Sequence, residues 1–117
     1  MKVKTIVCGP LDVNCYVLYS DETKECCAID PAAAEPVLKF IRENELICTH
    51  ILLTHGHFDH IGGVAQLKKE TGAKVCIHKD DAGMLISDHE SFAVVANRHI
   101  EPAPADICFS GGESLKI

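Results

Sequence analysis

Residues 51–63 read Ile-Leu-Leu-Thr-His-Gly-His-Phe-Asp-His-Ile-Gly-Gly, and the fold of the whole chain follows from how this stretch is interpreted. His55, His57, Asp59 and His60 place three imidazoles and one carboxylate within six residues. His55 and His57 are two apart, so in an extended segment they project to the same side and can reach one ion. Asp59 and His60 follow where the chain must turn into a helix, and a loop can aim both at a second position. Imidazole and carboxylate together suit a borderline ion such as Zn²⁺, and Mn²⁺ or Fe accept the same donors. Gly56 frees the loop, and Gly62-Gly63 lets the next helix start close to the site. A polar surface loop would not explain why three of the chain's 7 His fall beside one Asp.

Working outward, the apolar run at 49–53 predicts a strand covered on both faces, giving the His-rich loop a rigid support. Upstream, alternation predicts a strand at 2–8, and the segments 14–19 and 25–29 on either side of a polar turn read as strands joined in a hairpin. Val37, Leu38 and Ile41 predict a helix over 34–44 that accepts Pro36 in its first turn. Downstream, Ile61, Val64, Ala65 and Leu67 predict a helix over 61–71 that stops at Gly72. A strand at 74–77 and a short helix at 79–86 follow. Residues 87–106 carry no clear period and are read as a loop. A strand is expected from Asp106 to Phe109, and another begins at Leu115-Lys116-Ile117 and stops in mid-element. Strands first, then strands alternating with helices, make an α/β chain with a mixed sheet.

Composition sets bounds. A length of 117 residues fits one domain, 1–117. Hydrophobic residues are 47%, aromatics only 5% and Trp is absent, so the core must be aliphatic. A net charge of −6 weighs against a phosphate-backbone partner, although a bound metal supplies local positive charge. Seven Cys without any C-x-x-C spacing read as buried thiols in a reducing, cytoplasmic compartment. Adjacent Cys26 and Cys27 would point to opposite faces of a strand. No targeting segment and no run of roughly 18–20 apolar residues is found, so no membrane partner is expected.

The 51–63 stretch resembles the His-x-His-x-Asp-His signature of the metallo-β-lactamase superfamily, and looks most like its glyoxalase II-like (hydroxyacylglutathione hydrolase-like) branch. Asn14-Cys15-Tyr16 resembles the family's Asn-x-Tyr. Ala28-Ile29-Asp30-Pro31 resembles its Ile-Asp-Pro-Gly turn, with Ala32 where Gly is usual. The segment from Ile77 to Ala82 resembles the one that follows the next strand. The resemblance implies the N-terminal half of an αββα sandwich, with a mixed sheet carrying helices on one face and the C-terminal half absent. It assigns His55 and His57 to a first zinc and Asp59 and His60 to a second, with Asp59 also expected to act in catalysis. It makes Asp30 an acid that braces the loop.

The family's third His, its bridging Asp and its last His have no match in this chain. His78, His89 and His99 are expected to be exposed or locally bonded, and His50 to precede the apolar strand and face away from the site. The function implied is hydrolysis of a thioester or ester through a metal-activated water once the domain is complete. One alternative is a non-catalytic half-domain that pairs with itself or a partner half, so that a homo-oligomer covers the open sheet face. Another is a lactonase or nuclease of the same superfamily. The acidic balance and Phe58 between His57 and Asp59 weigh against the nuclease.

Overall fold

The structure, a computed structural model, describes residues 1–115. One six-stranded sheet runs in the order β1 (Lys2–Cys8), β2 (Val13–Tyr19), β3 (Glu25–Ile29), β4 (Ile47–Leu52), β5 (Lys74–His78) and β6 (Ile107–Phe109). The first three strands pair antiparallel, and β3 to β6 pair parallel. Helix α1 (Ala34–Glu43) crosses from β3 to β4, and α3 (Val64–Thr71) from β4 to β5. The expected α/β architecture and mixed sheet are both present. The strand expected at Leu115–Ile117 lies in part outside the described residues.

Strand alternation explains the layers. Val13, Cys15 and Val17 of β2 are buried in the same cluster as Cys26 and Ala28 of β3, Ile51 of β4, and Val75 and Ile77 of β5. Val37, Leu38 and Ile41 of α1 and Val64 and Leu67 of α3 complete that core. Cys26 belongs to it and Cys27 does not, as expected for neighbours pointing to opposite faces. On the other face the register aligns Val3 with Leu18, Tyr16 with Ile29, and Ile29 with Leu52. That face is apolar and incompletely covered among the described residues, with Val3 59% and Val7 58% exposed.

Beyond one-residue shifts at element ends, two expectations are corrected. β4 begins at Ile47, two residues early, because Ile47 and Cys48 pair with Glu25 and Cys26 before a register shift leaves Thr49 unpaired. His50 therefore lies inside β4, and on the face opposite the helices the strand is only half covered. The helix expected at 61–71 is split into α2 (Phe58–Ile61) and α3, with Gly62 and Gly63 between them. The short helix expected at 79–86 is present at those bounds as a 3₁₀ helix, Lys79–Ile86.

The Gly62-Gly63 break has a steric cause. A Cβ on Gly63 would sit 2.5 Å from both the Ala33 carbonyl carbon and the Ala34 nitrogen, and one on Gly62 would strike the Ala32 carbonyl oxygen. Gly63 N–H donates to the Pro31 carbonyl at 2.8 Å, so the two glycines dock the helix start onto the turn after β3. Gly63→Ala should cost about 1–3 kcal/mol of unfolding free energy through this overpacking, read by denaturant titration. Unchanged stability would show that the 31–34 turn yields freely.

Candidate metal centre

The loop that follows β4 leaves the sheet at the carboxyl ends of the parallel strands, where open α/β sheets place their ligands. Asp30 arrives at the same end, one residue after β3. The Ile29–Leu52 register sets the two strand ends side by side, and Asp30 N–H donates to the Leu52 carbonyl at 3.0 Å. Asp30 then turns at φ +53, a left-handed conformation that Asp adopts more readily than most residues. Its carboxylate is buried and points back over the loop.

That carboxylate accepts three hydrogen bonds. Thr54 N–H donates to Oδ1 at 2.8 Å, Thr54 Oγ1 to Oδ2 at 2.6 Å, and His60 Nδ1 lies 3.1 Å from Oδ2. Because Asp30 is an acceptor, His60 carries its proton on Nδ1 and leaves Nε2 free. Thr54 Oγ1 also lies 3.0 Å from His55 Nδ1. Since the hydroxyl proton goes to Asp30, the oxygen accepts from His55 Nδ1–H, and His55 Nε2 is freed too. One acid thus sets the tautomer of two imidazoles, His60 directly and His55 through Thr54.

The four expected ligands converge. The His55 ring centroid is 4.6 Å from that of His57 and 4.1 Å from that of His60. Ligand atoms of His55, His57 and Asp59 lie within 4.8 Å of one another, as do those of Asp30, His55 and His60. His55 belongs to both groups, so the structure does not by itself divide the ligands into the two expected pairs. Asp30 already uses its oxygens on Thr54 and His60, which fits a brace better than a ligand. Burial, with the His60 and His57 rings beside it, holds the His55 pKa below the ordinary imidazole value and favours the neutral form that binds metal. Imidazole nitrogens and a carboxylate at this spacing fit a divalent transition ion.

Gly56 is required by space. A Cβ there would strike Met84 of the 3₁₀ helix, and it would lie 3.2 Å from the Asp81 carbonyl oxygen. His78, His89 and His99 stay outside both ligand groups, as expected. His78 accepts from Asp80 N–H at 3.1 Å, and His50 bonds Thr49 Oγ1 at 2.9 Å.

The sequence reading passed over the 87–100 segment, which closes one side of the site. Ser91 is buried, and its carbonyl accepts from Phe58 N–H at 2.9 Å. Phe92 stands edge-on to His57 with centroids 5.1 Å apart. Asp88 ties the segment's ends together, accepting from Ile100 N–H at 2.8 Å and pairing with His99 Nδ1 at 2.6 Å. No periodicity marks these residues, and their roles come only from long-range contacts.

Asp30→Asn should lower zinc affinity about 10- to 100-fold by chelator competition, as losing a ligand's orienting partner does elsewhere, and Thr54→Val should lower it less. Asp88 raises the His99 pKa, with a smaller push from Glu101, while the Ile100 amide and then His99 lower that of Asp88. The loop clamp should therefore be strongest between the two folded-state values. It weakens as pH rises through the raised His99 value and as it falls through the lowered Asp88 value. Protection of the Ile100 amide, corrected for intrinsic exchange, should show this window, and His99→Gln should remove its upper edge.

The comparisons agree with the geometry. The model of the metallo-beta-lactamase superfamily matches residues 8–115. A hydroxyacylglutathione hydrolase of Pelagibacter ubique is 39% identical over 82 residues, covering 69% of this chain and 34% of the relative. A probable metallo-hydrolase of Bacillus subtilis, YqgX, is 29% identical over 119 residues, covering 100% of this chain and 56% of its own. The chain thus spans from about a third to just over half of these relatives' lengths. The crystal structure of the B3 metallo-beta-lactamase BLEG-1 superposes with a TM-score of 0.91 at 34% identity, covering 99% of this chain and 56% of that one. TTHA1623, solved in a di-iron-bound form, superposes at 0.79 with 31% identity, covering 97% of this chain and 57% of that one. With its sheet, its His-rich loop and these likenesses in accord, the chain belongs to the metallo-beta-lactamase superfamily.

Proposed function

We propose that this chain supplies the first wall of a metal centre that hydrolyses a thioester or ester of the acyl-glutathione class. The observation that carries the reading is the convergence of His55, His57, Asp59 and His60 over the ends of parallel strands, with Asp30 bracing them. The relatives named as hydroxyacylglutathione hydrolases support the substrate class. The di-iron-bound neighbour supports a transition metal, with zinc the ion we favour and iron or manganese accepted by the same donors.

A bound ion of this kind lowers the pKa of a coordinated water toward neutrality and polarises a carbonyl oxygen. The chain's own residues prepare the place for it. His55 and His57 offer imidazoles from one side of the loop, and His60 presents Nε2 because Asp30 holds its other nitrogen. Asp59, 3.5 Å from His60 Nε2, adds a carboxylate that can bind the ion and take up the proton of the attacking water. Phe92 and the 87–100 segment shield one flank from solvent, where charge stabilisation is stronger.

The test is turnover of S-lactoylglutathione by the metal-loaded protein carrying a complete family domain. His57→Ala and Asp59→Ala should each lower kcat/KM by at least about 100-fold, the order of a lost acid–base group. Retained activity in both variants would reject the mechanism. A second reading, a half-domain that pairs with a second copy, is favoured by the exposed Val3 and Val7 face. Light scattering of the 117-residue chain separates the two, since a well-behaved monomer counts against pairing.

A further inference from the structure

A groove of about 450 Å³ runs beside the metal loop, with Met84 and Phe92 as its apolar walls and Asp80, His89 and Glu90 on its rim. Both walls touch the loop. Met84 fills the space that a side chain on Gly56 would need, and the Phe92 ring stands 5.1 Å from the His57 ring at 78°. Met84 and Phe92 are thus shared walls, so the groove lies one side chain away from the metal-ligand cluster at the Gly56–His57 step.

Phe92 is an unusual residue for its place. Its φ is +66, where a bulky side chain is an outlier, and it is 50% exposed. Core burial does not explain an aromatic ring there. The backbone around it is fixed by the Ser91–Phe58 hydrogen bond and the Asp88 clamp, so the ring is held in the wall of the groove.

Resting on the hydrolase reading, we propose that this groove is the acyl subsite. It receives the apolar chain of a substrate whose carbonyl lies at the metal loop, and Phe92 determines which chains are accepted. The rim carboxylates of Asp80 and Glu90 repel an anionic carrier such as the glutathionyl group. That assigns the groove to the acyl side of the scissile bond and the carrier to another approach. The substrate class is then an acyl thioester or ester with a medium-length aliphatic or aromatic acyl group.

The experiment compares the metal-loaded wild type with Phe92→Asn and Phe92→Tyr. Asn adopts the left-handed conformation readily, so the loop keeps its path without the ring. Calorimetric affinities for the alkanoates from butanoate to octanoate are measured beside kcat/KM for the matching acyl thioesters. In the wild type each added methylene should tighten binding by up to about 4-fold, the transfer value for a buried CH₂. Phe92→Asn should flatten that slope and Phe92→Tyr should retain it. A flat wild-type slope, or equal slopes in wild type and Phe92→Asn, overturns the proposal. If no thioester or ester is turned over by the metal-loaded protein carrying a complete family domain, the hydrolase reading fails, while the alkanoate slopes still decide the groove. Should Phe92→Asn not fold, Met84→Ser on the opposite wall carries the same comparison, and an unchanged slope there overturns the proposal.

Discussion

The Asp30 carboxylate is the constraint on which the site depends. It is buried at the end of β3, and its partners Thr54 and His60 lie 24 and 30 residues further along the chain. A buried carboxylate is tolerated only when its acceptor sites are satisfied. Here the donors that satisfy it belong to the metal loop itself. The demand to solvate one charge therefore fixes the loop's path and decides which nitrogen of two neighbouring imidazoles is left free. The fold and the site share one set of hydrogen bonds.

The other contributions are steric. Gly62 and Gly63 admit the Pro31–Ala34 turn, and Gly56 admits Met84. In all three cases a side chain is missing so that another part of the chain can approach. The loop is thus gripped from two directions, by the turn after β3 beneath it and by the 3₁₀ helix beside it. The Ser87–Ile100 segment adds a third contact through Ser91 and Phe92. The exposed apolar face of β1 and β2 takes no part in this, so the site's geometry rests on the helix-covered layer and the strand ends.

Much of this was legible in the sequence. The alternation in β2 and the helical spacing of Val37, Leu38 and Ile41 in α1 report burial directly, because a strand or helix with one covered face must repeat its apolar residues, whereas in β1 the alternating Val3 and Val7 lie on the uncovered face. The His-rich loop was legible for a different reason: its donors are close in sequence and chemically rare. Less visible was where β4 begins, since the shift at Thr49 depends on its pairing with β3 rather than on its own residues. The split between α2 and α3 was hidden too. Gly62 and Gly63 looked like a permissive helix start, and only the packed turn shows that they interrupt it. Ser91 and Phe92 gave no signal, because a loop residue that acts through one long-range contact leaves no period behind. Asp30 was legible as a brace through family resemblance, but its reach to His55 through Thr54 was not.

The separation between Asp30 and its loop has a consequence for the order of events during folding. The brace cannot form until β3, the α1 crossover and β4 have come together, because loop closure over that span must precede the contact that rewards it. The imidazoles of the nascent chain are therefore a flexible tract with unspecified tautomers, and an ion meeting them early finds no preferred geometry. If the loop takes a metal as proposed, selective capture must then wait until the central parallel strands have paired, and occupancy would report successful folding.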